Sequence, residues 1–193
     1  MTAKINYKLT QGSTFREVLR WESDEVIYKP ITAVTKSAPV SITSVGHGLV
    51  EGWRFRVTNC GGMREINGDQ YHSASVVDVD TVTINKVNSL SYTAYTSGGV
   101  IEYNKPVDLT GMTARMQLRS NVASDVVIHE LTTENGGIVL DNTLKQIRLN
   151  ISAAVTTGFT FTTAVYSLEL VSSGGIVTPL AAGNIQLTKE VTR

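Results

Sequence analysis

The sequence predicts an all-β protein in which one compact module is inserted into a second all-β domain. Three observations lead there. Thr, Val and Ile dominate and recur with a period of two residues, glycine and asparagine punctuate the apolar runs, and helical periodicity is nearly absent. Half-buried antiparallel strands give this alternation because successive side chains point to opposite faces.

Taken in order, Ile5, Tyr7 and Leu9 share one side of the first strand. Phe15, Glu17, Leu19 and Trp21 share a side of the second, with Arg16, Val18 and Arg20 opposite. Ala114-Arg115-Met116-Gln117-Leu118-Arg119 places Met116 and Leu118 inside and both arginines outside. Ile147, Leu149 and Ile151 alternate with Arg148 and Asn150, and Tyr166, Leu168 and Leu170 with Ser167 and Glu169. Ile185 and Leu187 lead a last strand running towards Val191. Asn135-Gly136-Gly137, Asp141-Asn142, Gly174-Gly175 and Gly183-Asn184 read as turns between these runs. The one helical candidate is a single turn from Ser152 as N-cap to Gly158 as stop.

Lys29-Pro30 leaves the first strand pair and Lys105-Pro106 re-enters strand-rich sequence. The opening strands are too few to close two sheets, so they need the C-terminal half to complete them. The expected fold is therefore a discontinuous antiparallel β-sandwich of Ig-like type over residues 1–30 and 105–193. Residues 31–104 form an insertion at a loop tip, where insertions are tolerated. Short strands near 41–43, 54–58, 72–79, 81–85 and 100–102, with Asp80-Thr81 turning a hairpin, suggest a small SH3-like β-barrel there.

The 193 residues are enough for a self-sufficient core. Lys and Arg balance Asp and Glu at 17 each, so no field of one sign favours nucleic acid or an anionic membrane as partner. A charged fraction of only 18 % suits a protein that ends inside an assembly. One cysteine, Cys60, excludes an internal disulfide and a cysteine zinc cluster within the chain. The single cysteine fits synthesis in a reducing cytoplasm, and no signal peptide or membrane-length apolar run is read.

The candidate chemical groups each have a plain structural reading. His47 in Gly46-His47-Gly48 lacks ligand-spaced partners and reads as a turn residue bonded to a carbonyl. His72 and His129 are isolated in strand-like sequence. Asp78 and Asp80 share a strand face, a spacing that could hold a cation, but Asp80 belongs in the turn. Glu130, Glu134 and Asp141 read as solvating loop residues. Gly61-Gly62 and Gly98-Gly99 precede no helix, as a phosphate cradle requires. Cys60 has no identifiable activating base. No catalytic, cofactor or metal residue is expected. Trp21 reads as sandwich core, and Trp53 and Phe55 as barrel core. The candidate interface residues are Tyr92 and Tyr95 in the loop before Gly98, with Trp53 beside them as a large aromatic.

Two resemblances add to this reading. Gly46-His47-Gly48-Leu49, Gly62-Met63, Ile66-Asn67-Gly68, Tyr71 and Tyr92-Thr93-Ala94-Tyr95-Thr96-Ser97-Gly98-Gly99 occur in order. They make the insertion resemble a small β-module that recurs in phage tail proteins and is named after a domain of ubiquitin-activating enzymes. The resemblance implies no ubiquitin chemistry. Gln11-Gly12-Ser13-Thr14-Phe15, the stretch from Leu109 to Arg119, Leu131-Thr132-Thr133-Glu134-Asn135-Gly136-Gly137-Ile138, Val165-Tyr166-Ser167-Leu168-Glu169-Leu170 and Glu190-Val191-Thr192-Arg193 follow. Through them the outer segments resemble the β-sandwich of tailed-phage structural proteins, including long-tail-fibre attachment and collar proteins. These resemblances imply a structural protein of the virion tail, a collar or adaptor that holds fibres on the tail tube or tip. Its partners would be other virion proteins and copies of itself in a ring. Other readings of the same residues are a neck, head-completion or capsid-decoration protein, and a carbohydrate-binding module for receptor recognition.

Overall fold

The structure, a computed structural model, describes residues 2–190. In chain order the strands are β1 (Ala3–Lys4), β2 (Tyr7–Thr10), β3 (Phe15–Leu19), β4 (Glu22–Pro30), β5 (Ala33–Thr35), β6 (Val40–Thr43), β7 (Arg54–Gly61), β8 (His72–Val76), β9 (Thr81–Ile84) and β10 (Ser97–Pro106). They continue with β11 (Thr113–Arg119), β12 (Val127–Thr132), β13 (Ile138–Asp141), β14 (Gln146–Ile151), the helical turn α1 (Ala153–Thr157), β15 (Thr163–Val171) and β16 (Val177–Thr188). A 3₁₀ turn, Arg64–Ile66, follows β7. The chain is all-β and forms two compact units. One runs to Trp21 and resumes at Asp108, and the other spans Glu22–Val107.

The discontinuous unit is a sandwich. One sheet has the order β1-β16-β15-β11-β12, with β2 also on β16, and the other the order β13-β14-β3. Their apolar alternates meet in one core of Tyr7, Leu9, Phe15, Met116, Leu118, Ile147, Leu149, Ile151, Tyr166, Leu168, Leu170, Ile185 and Leu187, with Trp21 packed at its margin. Arg115 and Arg119 lie on the opposite face of β11, as the alternation requires. The α1 turn starts on Ser152, whose hydroxyl accepts from Val155 N, and stops at Gly158.

The sandwich unit departs from the expected fold at two points. The sandwich is not purely antiparallel, because β1 and β2 both run parallel to β16. Gly183-Asn184 is also not a turn; β16 passes straight through it. The cause is close approach. A Cβ at Gly183 would collide with the Ile5 carbonyl between β1 and β2. Three hydrogen bonds sit around that point: Ile5 N to Ala182 O (3.1 Å), Asn184 N to Asn6 Oδ1 (2.9 Å) and Tyr166 Oη to Ile5 O (2.9 Å). Val191, towards which the last strand is expected to run, lies outside the described residues, as do Thr192 and Arg193.

The continuous unit is one antiparallel sheet in the order β4-β10-β7-β8-β9-β6-β5. Its core gathers Val40, Ile42, Trp53, Phe55, Val57, Met63, Val82, Ile84 and Ile101. It has more strand than the sequence suggests. β4 is nine residues long and β10 ten, and Glu22 is paired with Pro106 where the chain enters and leaves. β8 ends at Val76 rather than 79, because the peptide N–H groups of Val77 and Asp78 both turn back to Thr81 O.

Candidate interaction surface

His47 organises one end of the continuous unit. The residue is 1 % exposed. Leu49 N donates to Nδ1 (3.0 Å), so Nδ1 carries no proton and Nε2–H donates to Asp78 O (3.0 Å). Tyr103 Oη donates to His47 O (2.8 Å). Asp80 Oδ1 accepts from Gly46 N (2.7 Å), and Asp78 Oδ1 accepts from Asp80 N (2.8 Å). The Asp80 amide holds the Asp78 carboxyl below its ordinary range. The two aspartates and the histidine thus tie two loops together through main-chain groups. The loops present Val45, Val77 and Val79 to solvent.

The glycine pair Gly61-Gly62 also has a steric role. Gly62 has φ +78°, and a Cβ there would strike Ala94 O. Cys60 is 2 % exposed, and burial pushes its thiol up from the usual range, away from the reactive thiolate. Asn67 clamps it: Cys60 N donates to Asn67 Oδ1 (2.9 Å), and Asn67 Nδ2 donates to Cys60 O (2.9 Å).

The three candidate aromatics separate. Trp53 has no exposed surface and donates from Nε1 to Asn104 O (3.0 Å), so it builds the core and offers nothing to a partner. Tyr95 is half-buried, its hydroxyl lying 2.9 Å from Gly98 O and 3.2 Å from Ile31 O. Tyr92 is half-buried and lines a concavity of ≈ 660 Å³ with Tyr71, His72, Gln70, Asn85 and Lys86. Tyr71 is 41 % exposed, and the Arg54 guanidinium stacks on it at 4.7 Å. Arg54 is in turn held by Glu22 through bonds of 2.5–2.9 Å. Burial holds His72 below its ordinary range, so its imidazole is neutral at neutral pH.

Sequence reasoning missed one buried carboxylate. Glu102 is 9 % exposed, opposite Arg56 in the β10–β7 register. Thr58 Oγ1 donates to its Oε1 (2.5 Å) and Arg56 Nε to its Oε2 (2.9 Å). The Thr58 bond first, then the Arg56 guanidinium, holds its carboxyl below the ordinary range. The available signal was Arg54, Arg56 and Thr58 alternating with Phe55 and Val57.

The sandwich has its own concavity, ≈ 510 Å³, over the outer faces of β11, β12 and β15. Its polar groups are mutually engaged. Arg115 pairs with Glu169 (2.8 Å), Gln117 Nε2 donates to Glu130 Oε1 (2.6 Å), and Arg119 donates to Gln117 Oε1 (2.8 Å) and Ser124 O (2.5 Å). His129 on β12 is half-buried, 5.8 Å from the Phe159 ring. Asp141 Oδ1 accepts from Leu144 N (2.9 Å), and Glu134 accepts from Thr133.

Among the described residues, no three His, Cys, Asp or Glu side chains gather as a metal site, and no helix is long and apolar enough to cross a membrane. No protein-family model matches the sequence, and comparison with the curated proteins finds no match.

Proposed function

We propose that the protein is a structural component of a tailed-bacteriophage virion, a collar or adaptor that joins tail fibres to the tail tube or tip. On this reading it is made in the host cytoplasm, works in the tail, and carries no catalytic step. Its mechanism is assembly: sheet edges and loops are presented to neighbours, and one heterologous contact repeats until a ring closes. The observation that carries the proposal is what its polar side chains hold. His47, Asp78, Asp80 and Asn67 bond main-chain groups and fix loop shape rather than converging on a substrate. Among the described residues β4 pairs with β10 alone, leaving the other edge of a nine-residue strand to a neighbour. The insertion's turn and aromatic pattern, with its resemblance to a phage-tail module, supports the same reading.

The test is mass spectrometry and chemical cross-linking of purified particles. The expected result is a fixed copy number per tail, with cross-links from this chain to itself and to tail components. Particles that assemble without the chain would overturn the proposal.

A further inference from the structure

We infer that the concavity bounded by β8, the residues after β9 and the loop carrying Tyr92 is a binding site for a neutral oligosaccharide. It has the parts such a ligand requires: aromatic faces for the apolar side of a pyranose ring, and amides and hydroxyls for its equatorial oxygens.

Tyr71 supplies the first face. Arg54 covers one side of its ring and Glu22 fixes Arg54, so the ring is held before any ligand arrives. Tyr71 lines the concavity and Arg54 does not. Tyr92 supplies a second ring, backed by the core. Three polar side chains of the lining are unengaged. Among the described residues the side chains of Gln70, Asn85 and Lys86 make no hydrogen bond or ion pair. The concavity on the sandwich contrasts with it, since its Arg115, Gln117 and Arg119 are bonded to their neighbours.

Charge selects the ligand class. The lining carries one carboxylate, Glu65, and one ammonium, Lys86, beside a neutral His72. Glu65 Oε1 already accepts from Thr93 N (2.8 Å) and Thr93 Oγ1 (3.1 Å), which fixes the loop that carries Tyr92. A polyanion gains little from a lining with one cation and one anion, whereas a neutral polyhydroxylated chain matches mixed donors and acceptors. The site goes beyond the assembly proposal and stands without it.

The experiment is an amide NMR titration of the full chain. The probes are neutral oligosaccharides of glucose, galactose, mannose, rhamnose and N-acetylglucosamine, with heparin as the polyanion. The expected result is that at least one neutral probe shifts the amides of Gln70, Tyr71, His72, Asn85 and Lys86. Tyr71→Ala and Asn85→Ala, both at exposed positions, then weaken binding about tenfold or more while the remaining spectrum is retained. Three results would overturn the inference: no neutral probe shifts these amides, the shifts survive both substitutions, or heparin alone produces them.

Discussion

Replacing Gly183 by alanine separates two explanations of that glycine, as a turn residue or as a gap that lets two backbones meet. The added methyl would meet the Ile5 carbonyl, and backbone cannot swing aside as a side-chain tip can. Making room displaces the segment between β1 and β2 and breaks the bonds Ile5 N to Ala182 O, Asn184 N to Asn6 Oδ1 and Tyr166 Oη to Ile5 O. At about 1 kcal/mol each these amount to about 3 kcal/mol. The general advantage of alanine over glycine in a strand returns about 0.5–1 kcal/mol, leaving a loss of about 2 kcal/mol. If β2 detaches altogether, Tyr7 and Leu9 lose their burial and the loss grows by about 2 kcal/mol for each. The assay is thermal and urea unfolding followed by circular dichroism. A Tm lowered by roughly 10 °C is expected for the sandwich transition. Gly174→Ala is the control: its nearest neighbour is Ser172 Oγ at 3.8 Å, and a change within about 0.5 kcal/mol is expected. Gly183→Asn sharpens the test, because turns accept asparagine and close approaches do not. A Gly183→Ala protein melting within about 2 °C of the parent would refute the reasoning.

Three further substitutions probe the continuous unit. Asn67→Ala strands the Cys60 N–H and C=O and should cost about 1–3 kcal/mol; urea midpoints measure the loss, and faster labelling of the Cys60 thiol in the native protein should accompany it. His47→Ala removes both ring bonds and leaves a cavity, for an expected loss of about 2–4 kcal/mol, and hydrogen exchange should show Leu49 and Gly46 amides losing protection first. Glu102 has a folded pKa below its ordinary 4.5, so its contribution is full above that value and is lost as pH falls through the folded value. Glu102→Gln should therefore lower stability near pH 7 and flatten the decline below about pH 4.5 relative to the parent, read from urea midpoints across that range.

The sandwich core was legible because its strands alternate cleanly. Met116, Leu118, Ile147, Leu149, Leu168 and Ile185 are buried where a period of two places them. The α1 turn was legible from its cap and stop alone. β4 was not, because Glu22-Ser23-Asp24-Glu25-Val26-Ile27-Tyr28 lies at a sheet edge, where neither face is fully buried and alternation carries little signal. Gly183 misled because a glycine beside an asparagine has the composition of a turn, and only the position of Ile5, far away in sequence, distinguishes it. Tyr92 was legible as an aromatic worth watching, but its partner was not. The chain brings Tyr71 to the same concavity and turns the Tyr95 hydroxyl to Gly98 and Ile31. Glu102 was missed because its partner Arg56 is fixed by sheet register, which local sequence does not encode.

The polar side chains of the continuous unit fall into two groups with different physical consequences. Asn67, Asp80 and His47 bond peptide groups that would otherwise be left without partners as loops fold over a core, and such bonds fix one backbone shape. Gln70, Asn85 and Lys86 are exposed side chains close before β8 and directly after β9, and among the described residues they make no hydrogen bond or ion pair that would add to the fold. Substitutions should divide along the same line. Changes in the first group should lower stability and disturb whatever the loops touch, whereas changes in the second should leave the melting temperature within about 2 °C and alter binding alone. An Asn85→Ala protein that unfolds as readily as an Asn67→Ala protein would show that the wall of the concavity is structural, and the two groups would then be one.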